Sequence, residues 1–183
     1  MDDAEQPRRL SPRRRFIPRF AAAASLLVAA GLFIGARPQT YEGEETFAIQ
    51  NVETGKNIRP KGGRSFEGNS VVVYNLHKWG CLTWRYVPAA DGSVLLANVY
   101  SKKMLGVSGQ TTPGATLAQY ARSSSSVSWD IEEHADGSFL IRLHGTQLYV
   151  TATSGEINSA VVLAPPNGSN LQNWRLIKQK PWI

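Results

Sequence analysis

Short apolar runs, bounded by Gly, Ser, Asn and Pro, extend from about residue 46 to the end of the chain and fall into three sets of four. The first runs are 47–52, 94–99 and 139–143, and the second are 57–59, 104–107 and 148–152. The third are 71–74, 116–120 and 160–163, and the fourth are 84–87, 129–131 and 174–177. All are rich in Val, Ile, Leu and aromatics and too short for helices, so each predicts a strand. In the fourth runs, Trp84-x-Tyr86, Trp129-x-Ile131 and Trp174-x-Leu176 place two large apolar groups two residues apart. Residues i and i+2 of a strand share a face, so these pairs face a core while Arg85, Asp130 and Arg175 face water. Turns are predicted at Thr54-Gly55 and His144-Gly145, where Gly accepts a positive φ, and at Gly68-Asn69 and Pro113-Gly114.

The sets repeat. Trp84, Trp129 and Trp174 stand at one interval of 45 residues, and Ala90-Asp91-Gly92-Ser93 returns at the same interval as Ala135-Asp136-Gly137-Ser138. Helical solenoids share this period but not the strand pattern, and a propeller needs at least about four blades. Three repeats of four strands predict a closed threefold arrangement without exposed sheet edges. One repeat cannot bury its own apolar face, so the three share one core.

This layout resembles the ricin B-type lectin domain, a β-trefoil. That family's repeats end in Gln-x-Trp. Gln172-Asn173-Trp174 matches fully, while Leu82-Thr83-Trp84 and Val127-Ser128-Trp129 keep the Trp. Thr54 to Pro60 and Ser101 to Val107 are similar to the family's Ser-Gly-Lys-Cys-Leu-Asp-Val segment. The resemblance covers about Tyr41 to Ile183 and implies an all-β trefoil of three repeats over residues 46–183. Fold alone does not decide function. The family's sugar sites use an Asp in the second run, and that column is read here as Arg59, Gly106 and Tyr149. Its Asn three residues before the Trp is replaced by Cys81, Ser126 and Leu171. The aromatic platform ending the third run survives as Tyr74 and Tyr120. A galactose-type site copied from the family is therefore not expected.

Residues 1–36 stand outside the repeats. Six Arg residues precede an uncharged run over 20–36, which reads as an export signal or a membrane-anchoring helix. Pro12-Arg13-Arg14-Arg15-Phe16-Ile17 resembles a twin-arginine signal. Residues 37–45 form a short linker. The expected location is exported: periplasmic, extracellular, or anchored by the 20–36 run. Of the net charge of +6, half lies in this segment, leaving fourteen basic and eleven acidic residues elsewhere. The basic balance is thus poor ground for nucleic-acid binding. Cys81 is the single cysteine, which excludes an intrachain disulfide, and it is read as a small filler beside Trp84.

Chemistry is sparse. His77, His134 and His144 lack helical metal-site spacing, and there is no nucleophile elbow, phosphate loop or dinucleotide fingerprint. Neither a metal nor a cofactor is expected, and the chain reads as non-enzymatic. Asp91 and Asp136 belong to repeated turns. Trp79 has no counterpart in the other repeats, where Ser124 and Ser169 occupy its register. It lies in a polar loop, so it either packs locally or stacks on a sugar face. Tyr74, His77 and Trp79, with Arg59 across from them, are the main binding candidates. Tyr120, Asn167 and Gln172 are secondary ones, and Gln172 is more often structural in the family. The expected function is a divergent carbohydrate-binding module for an acidic or substituted glycan. The alternative is a protein-interaction or attachment subunit of a larger toxin-like assembly.

Overall fold

The computed structural model describes residues 45–182. The export or anchor segment and the linker up to residue 44 lie outside the described residues. Among the described residues no helix is long and apolar enough to cross a membrane.

All twelve expected strands form. They are β1 (Phe47–Asn51), β2 (Asn57–Pro60), β3 (Val71–Tyr74), β4 (Trp84–Pro88), β5 (Val94–Asn98) and β6 (Met104–Val107). The rest are β7 (Leu117–Tyr120), β8 (Ser128–Glu133), β9 (Phe139–Leu143), β10 (Tyr149–Ala152), β11 (Val161–Ala164) and β12 (Trp174–Lys178). Two short 3-10 turns, Lys61–Gly63 and Gly80–Leu82, follow β2 and precede β4. The glycines expected at turns, Gly55, Gly68, Gly114 and Gly145, all have positive φ.

Six strands close a barrel. β1 pairs with β4, β4 with β5, β5 with β8, β8 with β9, β9 with β12 and β12 with β1, all antiparallel. The other six form the hairpins β2–β3, β6–β7 and β10–β11. Bridges Ser70–Ala118, Val72–Ala160 and Thr116–Val162 tie these hairpins into a triangle. This is a β-trefoil.

The three register tryptophans are almost fully buried. Their indole N–H groups donate to equivalent carbonyls: Trp84 to Ile58 (2.9 Å), Trp129 to Leu105 (3.0 Å) and Trp174 to Val150 (2.9 Å). Each ring therefore fills the core and pins its hairpin to the barrel, and the polar atom of each buried ring is satisfied. Ile49, Leu96, Ile141, Leu117 and Leu163 complete one shared core.

These bonds also set the repeat register, and they correct one column read from the sequence. Ile58, Leu105 and Val150 are equivalent, so the next position holds Arg59, Gly106 and Thr151. Tyr149 instead aligns with Asn57 and Met104. The misreading is by two residues, although the connections before β2, β6 and β10 each hold five residues. A shift of two keeps the same strand face and escapes a pattern of alternation.

Candidate functional site

The first repeat gathers four of the expected residues at one place. Arg59 on β2 is buried, and its guanidinium carbon lies 3.4 Å from the centroid of the Tyr74 ring at the end of β3. Strand pairing explains this contact. Arg59 faces Val72 across the hairpin, and Tyr74 stands two residues further along, on the same face. Cation and ring attract one another here with little water between them. Arg59 Nη2 donates to Asn158 Oδ1 at 3.5 Å, while its buried Nε has no hydrogen-bond acceptor. His77 and Trp79 stack at 4.2 Å and 12°, with Tyr74 6.1 Å from the first and 6.2 Å from the second. Trp79 keeps 37% of its surface exposed. Both expected platforms therefore already hold a neighbour on one face: Arg59 on Tyr74, and His77 on Trp79.

The loop carrying His77 and Trp79 is held from three sides. Thr83 donates its hydroxyl to the Trp79 carbonyl at 2.9 Å. Gln179 donates its side-chain amide to the Thr83 hydroxyl at 2.6 Å and its backbone N–H to the Thr46 carbonyl at 2.9 Å, while its carbonyl accepts from the Thr46 hydroxyl at 2.6 Å. Trp182 N–H donates to the Lys78 carbonyl at 2.8 Å, so the C-terminal tail runs beside Trp79. Beneath the loop, a Cβ on Gly80 would lie only 3.3 Å from Tyr100. The Cys81 thiol lies against Gly63 and near Arg59. Burial pushes that thiol above its ordinary range, while the nearby Arg59 charge opposes the shift.

The secondary candidates stay in their own repeats. Tyr120 packs over Gly106, where a Cβ would come within 2.9 Å of the ring, and joins a small cluster with Leu95, Met104 and Val127. One side of the Tyr120 ring is thus covered by packing, while the residue stays half-buried. Gln172 is buried, donates to Thr151 Oγ1 (3.1 Å) and the Pro165 carbonyl (2.9 Å), and accepts from Asn167 N–H (3.0 Å). Its amide braces the third-repeat loop. Asn167 is exposed and caps the turn by accepting from Ser169 N–H at 2.9 Å.

Residues 34–120 match the family model described as "Ricin-type beta-trefoil lectin domain-like". Over these residues the β-trefoil is similar to that family. A designed threefold-symmetric protein, ThreeFoil, superposes with a TM-score of 0.69 at 22% identity, covering 72% of this chain and 97% of its own. The Rhizoctonia solani agglutinin gives 0.67 at 22% identity, with coverage of 73% and 94%. A Macrolepiota procera ricin B-like lectin in complex with lactose gives 0.64 at 20% identity, with coverage of 74% and 95%. No curated protein matches the chain.

Within this trefoil, sequence reasoning missed several residues at the first-repeat site. Trp182 is 72% exposed and also lacks a repeat partner, the signal that singled out Trp79. Asn158 arrives from the third repeat with φ of 67°, and nothing local in sequence ties it to Arg59. A second polar cluster joins residues that the sequence pattern did not bring together. Arg142 lies 3.0 Å from Asp130 and 2.5 Å from Glu132, and His144 Nδ1 lies 2.8 Å from Asp130. Glu132 also receives the Tyr149 hydroxyl at 3.3 Å. Burial first, then the Glu132 charge, raises the Tyr149 pKa.

Proposed function

We propose that this chain is an exported, non-enzymatic binding module that recognises a carbohydrate, with its divergent site in the first repeat. One observation carries the reading. Tyr74, His77 and Trp79 converge beside a buried Arg59 in that repeat alone, whereas Gly106 with Tyr120, and Thr151 with Ala164, occupy the same positions elsewhere. An exposed aromatic face beside directed donors suits stacking on a sugar ring. The match to a lectin-like family model supports this class of ligand. The Arg59 donor fork, in place of an acceptor Asp, favours an acidic or substituted glycan. A single shallow site binds weakly, so useful affinity calls for a clustered ligand.

A glycan array probed with the full chain tests the reading. Binding is expected to concentrate on charged glycans and to be competed by free sugar. Trp79→Ala is expected to weaken it by about 1–3 kcal/mol, the worth of an aromatic anchor, with little change in melting temperature. A large loss of stability with unchanged binding would mean that Trp79 is a packing residue.

A second reading, attachment to a protein partner, draws on the exposed Leu76, Trp79, Tyr100 and Trp182. It predicts saturable capture of one protein that free sugar does not compete.

A further inference from the structure

Beside Arg59 lies a cavity of about 250 Å³ that stacking on Trp79 does not use. Arg59, Lys61, Gly62, Arg64, Asn69 and Asn158 line it, so its walls carry three cations and no carboxylate. The wall is built rather than incidental. Pro60 ends β2, and Gly62 and Gly63 follow with φ of 65° and 64°, a left-handed turn that residues with a Cβ rarely adopt. The turn folds the Arg64 side chain over Gly62, within 3.7 Å of where a Cβ would stand. Buried Asn69 donates to the Lys61 and Arg64 carbonyls, both at 3.1 Å. Gln119 of the second repeat holds the Arg64 and Phe66 carbonyls, both at 2.8 Å. Asn158 of the third repeat closes the far side, its N–H bonded to the Val73 carbonyl at 2.9 Å.

The charges here are not balanced from within. Glu67, the acid nearest in sequence to Arg64, turns toward Ala121 N–H (3.2 Å) and the Ser124 hydroxyl (3.4 Å). Glu156, on the Asn158 loop, is exposed and does not line the cavity. Arg59 is 93% buried, given its relative exposure of 7%, yet its Nε donor has no acceptor. Leaving such a charged donor without a partner is costly.

We propose that this cavity is a subsite for a dianionic oxyanion, sulfate or phosphate, carried as an ester on the ligand. The inference deepens the glycan reading above and rests on it for the sugar portion only. A dianion answers three converging cations better than a single carboxylate does, and a guanidinium matches paired oxyanion acceptors.

The test titrates inorganic sulfate, inorganic phosphate and acetate into the full chain at constant ionic strength. A second arm compares a sulfated monosaccharide with its unsulfated parent. Lys61 and Arg64 are exposed, so the double variant Lys61→Gln/Arg64→Gln is expected to keep the wild-type melting temperature in chloride. Sulfate and phosphate should bind more tightly than acetate. The double variant should weaken them by about tenfold or more, as expected for lost charged hydrogen bonds. Trp79→Ala should leave inorganic sulfate binding intact while weakening the sulfated sugar. Sulfate binding no better than acetate, or unchanged in the double variant, overturns the subsite. Lysine- and arginine-dependent binding of inorganic sulfate, with no advantage for the sulfated over the parent sugar, overturns the ester and leaves a free-anion site. Glycan binding lost in Trp79→Ala but blind to sulfation upholds the glycan reading and sinks the subsite. Binding of inorganic sulfate and of the sulfated monosaccharide, with no response to any unsulfated glycan and none to Trp79→Ala, upholds the subsite and sinks the sugar-stacking part of the glycan reading.

Discussion

Trp84, Trp129 and Trp174 each combine bulk with one directed hydrogen bond, so truncation removes both at once. Replacement of any one by Ala is expected to cost about 3–5 kcal/mol in urea denaturation, as for large aromatics in cores. His144 offers a test by pH. Its hydrogen bond to Asp130, ahead of the attraction of Asp130 and Asp91, raises its pKa above the ordinary 6.5, while desolvation and Arg142 oppose the shift. A raised folded-state value means that the pair contributes stability in full below the unfolded pKa. That contribution is lost as pH rises through the higher folded value. The pair is solvent-exposed, so the effect is small. A slight fall in melting temperature from about pH 6 to about pH 8 is expected in the wild type, beginning near the unfolded histidine value. The same fall should be absent in His144→Gln.

At the scale of elements, three hairpins share one backbone plan and differ in what stands over the second strand. Arg59 fills that position under Tyr74, Gly106 leaves room for Tyr120, and Thr151 receives Gln172. Gly106 does not have a positive φ, so its smallness serves packing alone. A Cβ there would lie 2.9 Å from both Tyr120 and Val127. Gly106→Ala is therefore expected to destabilise the protein by about 1–3 kcal/mol through overpacking. Adding Val127→Ala should restore part of the loss, because the two residues contest the same space. Equal destabilisation in the single and double variants would show that Val127 is not the group that crowds the added Cβ.

For the whole molecule, closure of the barrel joins β1 to β12 and leaves a C-terminal tail running beside the Trp79 loop. The Trp79 loop is thus braced by residues about a hundred positions away, such as Gln179 against Thr83. The segment before the trefoil supplies the proposed route of export. Replacing Arg13 and Arg14 by Lys is expected to stop translocation if the twin-arginine reading holds, while refolding of the trefoil stays unchanged. Cell fractionation reads the outcome, and undiminished export points to the general secretory route or a plain anchor.

Strand positions, the threefold repeat and the core tryptophans were legible in the chain because each follows from a local period of two and a long period of 45 residues. The loneliness of Trp79 and the aromatic survivors Tyr74 and Tyr120 were legible for the same reason: a repeat exposes its own exceptions. What surrounds those residues was not. Tyr120 packs on one side beside Gly106 and Val127, and Thr151 replaced Tyr149 once the tryptophan bonds set the register. Asn158, Lys61 and Arg64 join Arg59 around one cavity although they come from two repeats. Trp182 reaches the Trp79 loop only because the barrel closes. Periodicity reports which face a side chain occupies. Which distant residue shares its space, and whether a cation there finds an acceptor, depends on closure in three dimensions.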